Sequence, residues 1–167
     1  MHAEADQWLV ASMRRLSVID LGSYNVNGTA AGHFPGWEYV GVDCRPGPGV
    51  TVVADAREYD ADGRQFDVVV SCEALEHCPL WPRLVKNAYR LCKPMGHFFG
   101  TAAGPNRPAH SSDGLPTLSE GEHYSNIDPN DLRAALESSG FEQIIVDVLP
   151  CGNDVRWHAR KPATGRQ

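Results

Sequence analysis

The stretch VIDLGSYNVNG, residues 18–28, begins as a buried strand and ends in a turn. Val18, Ile19 and Leu21 form an apolar run broken by Asp20, and Gly22 follows at once. That is the order in which a strand hands over to a ligand-binding loop in an open α/β sheet. Beyond Gly22 the loop carries Ser23, Tyr24 and Asn25, where a phosphate-cradling loop would carry more glycine. Asn tolerates left-handed backbone better than most residues, so Asn25 and the pair Asn27 and Gly28 are expected to make the turn.

Working outward, three more strands are bounded by Gly, Pro or Asp: EYVGVD at 38–43, GVTVVAD at 49–55 and FDVVVSC at 66–72. Their continuous apolar runs predict strands covered on both faces, as in a parallel sheet. Residues 23–37, with Gly32, Pro35 and Gly36, leave room for only one or two helical turns. Upstream, Trp8, Leu9 and Met13 recur at helical spacing, so residues 1–15 are expected to hold a helix. Downstream, Leu80, Leu84, Val85, Ala88, Tyr89 and Cys92 predict a helix over 79–92, stopped by KPMG, and GHFFGTA at 96–102 is a fifth strand. Asp128 as N-cap, Pro129 at the first helical position and Gly140 as terminator mark a second helix. FEQIIVDVL and DVRWHAR, joined by PCGN, close the chain as a strand pair. The whole predicts one doubly wound α/β domain over 16–160, a mostly parallel seven-stranded sheet with an antiparallel last strand, and a flexible tail over 161–167.

Charge narrows the function classes. With 21 acidic against 15 scattered basic residues, the formal charge is -6, which opposes a broad nucleic-acid-binding surface. No apolar run approaches the roughly 20 residues of a membrane span, and the first ten residues lack a signal-peptide pattern, so a cytoplasmic protein is expected. Cys44, Cys72, Cys78, Cys92 and Cys151 form no C-x-x-C pair and are expected to be reduced core thiols. No metal is expected, because the His and Cys residues stand apart in sequence.

Five stretches in order carry a resemblance: VIDLGSYNVNG, GVD at 41–43, ADARE at 54–58, FDVVVSCEALEH at 66–77 and AYRLCKPMGHFF at 88–99. Together they resemble the class I S-adenosylmethionine-dependent methyltransferases, in particular the small-molecule group called methyltransferase type 11, with a Rossmann-like fold. The resemblance implies S-adenosylmethionine as cofactor. It implies that Asp20, Gly22, Ser23 and Tyr24 hold the amino-acid tail, Asp43 beside Cys44 the ribose, Asp55 with Ala56 the adenine, and that Ser71 and Cys72 flank the site.

On the acceptor side, Glu73, Glu76 and His77 after the fourth strand are candidates for proton transfer, since a His beside a carboxylate can take a proton from a hydroxyl or amine. Residues 103–126 are long, polar and rich in Pro and Gly, and are expected to form a lid that brings His123 and Tyr124 to the acceptor. A methyltransferase acting on a small-molecule O or N acceptor is the reading this supports. Two alternatives remain: a non-catalytic cofactor- or partner-binding module, and a nucleic-acid methyltransferase. The second is disfavoured because SCEA stands after the fourth strand instead of N/D-P-P-Y. A nicotinamide dehydrogenase is disfavoured by the lack of G-x-G-x-x-G.

Overall fold

The computed structural model describes residues 16–150 and 152–163. The helix expected over 1–15 and Cys151 lie outside these. Seven strands form one sheet: β1 (Ser17–Leu21), β2 (Glu38–Asp43), β3 (Val52–Val53), β4 (Phe66–Cys72), β5 (Cys92–Ala103), β6 (Glu142–Val148) and β7 (Asp154–Arg160). Their spatial order is β3-β2-β1-β4-β5-β7-β6, and only β7 runs antiparallel to its neighbours. The strand order reverses between β1 and β4, which opens the crevice at their carboxyl ends.

Two helices cover one face. In α1 (Trp81–Leu91), Leu84, Val85, Ala88 and Leu91 are buried, and in α2 (Pro129–Ser139) Leu132 and Leu136 are. The α2 ends follow the sequence: the Asp128 carboxylate accepts from the N–H groups of Asn130 and Asp131, and Gly140 stops the helix at φ 102°. Against the helices pack Ile19, Leu21, Val69, Phe98, Phe141 and Trp157. Phe98 lies between the rings of Phe141 and Trp157, with centroids 5.6 and 5.4 Å away.

The other face is thinner. Val18, Val68 and Val70 are covered by Ala30, Phe34, Trp37 and Tyr39 from the β1–β2 connection, whose helical part is a single 3-10 turn, Ala30–His33. On the part built from β5, β7 and β6 this face is open: Phe99 is 40% and Ile145 53% exposed. Phe99 stacks on His158 at 4.6 Å, and His158 in turn shares a 2.9 Å nitrogen contact with His97.

Other differences have local causes. The third strand keeps two residues of the seven expected, because Gly49, at φ +84°, turns the chain under the Ser23 carbonyl. The fifth begins at Cys92, since KPMG does not end the pairing but bulges from it: Phe66 faces Cys92 and Val68 already faces His97. Met95, at φ 65°, sits in that bulge and donates its N–H to the Lys161 carbonyl. Lys161 is therefore no flexible tail. Its ammonium donates to the carbonyls of Tyr89 and Cys92 at 2.8 Å, closing the C-terminal end of α1. Of the cysteines, only Cys92 is a buried core thiol among the described residues; Cys44 and Cys72 are exposed and Cys78 intermediate.

Neighbouring residues of β5 thus face opposite fates. Phe98→Ala should cost about 3–5 kcal/mol in chemical denaturation, whereas Phe99→Ala should cost about 1 kcal/mol or less. Equal losses would show that the second face is as closed as the first.

Candidate active site at the strand ends

At the switch point β1 and β4 are tied by the Ser71 hydroxyl, which donates to the Leu21 carbonyl at 2.7 Å. Ser71 is fully buried and holds the turn in place from below. One residue on, Gly22 has φ +89°, and a Cβ there would come within 2.3 Å of the Ala74 Cβ. Only glycine lets the loop after β1 touch the loop after β4.

The next residues answer why so few glycines follow. The N–H groups of Gly22 and Ser23 donate to the Val42 carbonyl at 2.9 and 3.1 Å, that of Tyr24 to the Asp43 carboxylate at 3.2 Å, and that of Asn25 to the Pro48 carbonyl at 2.8 Å. With the amides of Gly22 to Asn25 engaged in this way, these four residues offer no free N–H to a pyrophosphate. What remains is carbonyl oxygen, suited to an ammonium group. The turn is made differently from expectation: Asn25 and Asn27 do not enter the left-handed region, and the Asn25 side chain instead accepts from the Gly28 N–H at 2.9 Å.

The other residues expected to hold cofactor lie around this loop. Asp43 takes the N–H of Arg45 at 3.3 Å and the Cys44 thiol at 3.5 Å as well as that of Tyr24, so it knits the ends of β1 and β2 together. Asp55 is gripped by Arg57 through several contacts of 2.5–3.1 Å, which hold its carboxyl below the usual range, while the Ala56 carbonyl accepts from Asn87. Buried Asp20 points under the loop and accepts a short hydrogen bond from Tyr39. Burial, with a smaller push from Asp43, raises its carboxyl to about 6. The Cys72 thiol, raised to about 11 mainly by desolvation, stays protonated at neutral pH. Asp20 Oδ1 and Ser23 Oγ are buried without a hydrogen-bond partner, so polar capacity is left over at the end of β1.

On the acceptor side Glu73 follows β4 with φ 53°, an uncommon conformation for a residue with a side chain. Its carboxylate lies 3.4 Å from Arg107, which is also paired with Asp154. Beyond it, Glu76 is fully buried and accepts the Ala103 N–H at 3.2 Å, and its carboxyl is pushed well up by burial and then by the charge of Glu73. Burial and then His110 hold His77 below the ordinary imidazole value. Tyr124 stands edge-on to His77 and His110, with centroids 5.6 and 5.1 Å away, and donates to the Pro108 carbonyl at 3.2 Å. His123 contacts Ser125 at 3.2 Å.

The segment 104–126 crosses above these ends. The Glu122 carboxylate gathers the N–H groups of Ser112 and Ser119, both at 2.8 Å, and Arg45 reaches up from β2 to Asp113 at 2.6 Å and the Ser112 carbonyl at 3.2 Å. The Arg45 guanidinium also lies 4.1 Å over the Tyr24 ring. Arg45, Arg107, His110 and Glu122 were not singled out by the sequence, for they sit among turn residues with no periodic or motif signal. A separate cavity of about 350 Å3, lined by Asp60, Arg64, Tyr89 and Arg90, opens at the opposite, amino end of the strands.

A model of the methyltransferase domain matches residues 9–146. The chain belongs to the methyltransferase-domain family. Its fold is that of the class I S-adenosylmethionine-dependent methyltransferases. No curated protein matches the chain. Among solved structures, it is similar to Burkholderia thailandensis 1,6-didemethyltoxoflavin-N1-methyltransferase with bound 1,6-didemethyltoxoflavin and S-adenosylhomocysteine, at 18% identity and TM-score 0.64, over 96% of this chain and 77% of that one. A methyltransferase from Archaeoglobus fulgidus gives 16% and 0.66, over 95% and 92%. Haemonchus contortus phosphoethanolamine N-methyltransferase 2 gives 19% and 0.63, over 95% of this chain and about half, 52%, of that one.

Two outcomes test the site's electrostatics. Because the folded pKa of Asp20 lies above its unfolded value near 3.9, its stabilising contribution is full below about pH 4 and lost as pH rises through about 6. Asp20→Asn should therefore gain stability over the parent between pH 4 and 7.5, by about 3 kcal/mol in denaturant titrations of ligand-free protein. A difference independent of pH would acquit the carboxyl. For the covering segment, Glu122→Gln should speed amide exchange at Ser112 and Ser119 and leave β1 and β4 protection unchanged.

Proposed function

We propose that the chain transfers a methyl group from S-adenosylmethionine to the oxygen or nitrogen of a small molecule, with no nucleic-acid partner. The observation that carries this reading is the Gly22 turn, pressed on Ala74 with its amides consumed and unpaired polar atoms of Asp20 and Ser23 beneath it. The donor set fits the methionine tail: it accepts from an ammonium group and does not require phosphate. Asp43 and Asp55 stand at the next two strand ends, where ribose and adenine follow in this reading, each with acceptor lone pairs beyond the hydrogen bonds already made. The neighbours from Burkholderia and Haemonchus are named for small-molecule substrates, which supports the same class here.

When bound, S-adenosylmethionine supplies an electrophilic methyl on a sulfonium that leaves as a neutral thioether. The task of the chain is alignment in a dry pocket. Contact between Gly22 and Ala74 brings the tail-holding loop beside Glu73, and Arg107 fixes the Glu73 carboxylate at the acceptor end. We assign Glu73 to orient the acceptor and receive its proton, in preference to His77, whose ring is packed edge-on against His110 and Tyr124. His77, His123 and Tyr124 then form the wall, with segment 104–126 as the cover that excludes water.

Calorimetry should show both S-adenosylmethionine and S-adenosylhomocysteine binding, with Asp43→Ala weakening each by about 1–3 kcal/mol. Turnover with a panel of small amines, phenols and carboxylates, read as S-adenosylhomocysteine released, should fall sharply in Glu73→Gln while cofactor affinity holds. Absence of cofactor binding would sink the reading; turnover untouched by Glu73→Gln would remove only the assigned role.

A further inference from the structure

Glu76, His77 and His110 each offer one ligand atom, and the three atoms lie within 4.8 Å of one another. Ligands on a common ion at 2.0–2.2 Å are separated by roughly 3–4.4 Å, so the set is less than about 1 Å from closure. The ring centroids of His77 and His110 are 5.2 Å apart at 85°. Two imidazoles on one tetrahedral ion place their centroids about 5 Å apart.

Hydrogen bonding around the cluster leaves the right atoms free. His110 Nδ1 is 3.2 Å from the Pro108 carbonyl, which can only accept, so that nitrogen carries the proton and Nε2 keeps its lone pair. His77 Nδ1 is buried with no partner, while the His77 ring interacts with the main chain of His123. The second ring nitrogen of a metal-bound imidazole is commonly held by a backbone carbonyl, as the Pro108 carbonyl holds His110 Nδ1 here. Glu76 Oε1 is taken by Ala103, and Oε2 is buried without a partner on a fully buried residue. A buried carboxyl oxygen without a partner beside two imidazoles is a costly arrangement, and a cation that displaces the carboxyl proton would engage all three groups at once.

We propose that Glu76, His77 and His110 bind one divalent transition-metal ion, which clips the covering segment to the end of β4. Two nitrogens and one oxygen suit zinc, cobalt or nickel and not calcium or magnesium. The site unites residues that sequence spacing keeps apart: Glu76 and His77 lie just past β4, whereas His110 comes from the segment after β5. Against the expectation of no metal, the fold supplies the clustering that the sequence lacks. The site goes beyond the methyl-transfer reading and does not depend on it.

The test uses the full chain, stripped with chelator, and Co2+ as a spectroscopic probe. One Co2+ per chain should bind with visible ligand-field bands and be displaced by Zn2+, and Zn2+ should slow amide exchange in 104–126. Affinity should fall at least about tenfold in His110→Ala, which alters only the surface segment and should leave the metal-free melting temperature unchanged. Glu76→Gln should also weaken binding, and His110→Ala keeps the test decisive if that buried variant fails to fold. His158→Ala, which disrupts the other histidine pair, should bind like the parent. No binding, parent-like affinity in His110→Ala, or loss in His158→Ala would overturn the proposal.

Discussion

Gly22 has room for a hydrogen and nothing larger. Because the chain there must pass Ala74, the carboxyl ends of β1 and β4 are held at van der Waals distance, with the Ser71 to Leu21 hydrogen bond beneath as a brace. Everything at the site is positioned from that point. The loop after β1 runs one way from it, across β2, and Glu73 to His77 run the other way, towards β5 and the cover. A side chain at residue 22 would separate the two halves, and no later contact spans the gap in its place.

Around this brace the protein leaves unusual amounts of polar capacity. Among the described residues six buried side-chain atoms lack a hydrogen-bond partner: one is Trp157 Nε1 in β7, and the other five, on Asp20, Ser23, Glu73, Glu76 and His77, lie at the ends of β1 and β4. Orphaned groups of this kind oppose folding, and their concentration at one end of the sheet is what a ligand-binding site demands. The opposite end shows the reverse. Lys161, the Asp67–Lys93 pair and the Ser17 hydroxyl bond to one another or to free carbonyls, so the amino ends of the strands are consolidated.

Much of this architecture was legible because it rests on local signals. The apolar runs of β1, β2 and β4 and the Asp128, Pro129 and Gly140 punctuation of α2 are visible without tertiary information. So was the candidate set at the strand ends, since topology puts strand-terminal polar residues there whatever their partners. The rest depended on contacts between distant segments. KPMG does follow the end of α1, but that it also bulges from a strand begun at Cys92 depends on Lys161, and Asn25 reads as a left-handed turn residue until its side chain is seen to make the turn. Glu76 and His77 stand side by side in sequence, but nothing there announces that His110 will come to face them.

Arg45 belongs to two structures at once: its guanidinium lies flat on Tyr24 of the loop after β1, and its donors hold Ser112 and Asp113 of the cover. A displacement of Tyr24 therefore changes the anchorage of the cover, and a displacement of the cover is felt at Tyr24. Thermodynamic linkage makes that relation symmetric: whatever factor the first ligand lends to the second, the second returns to the first. In this fold the loop after β1 and the covering segment meet at one guanidinium, and neither rearranges without the other.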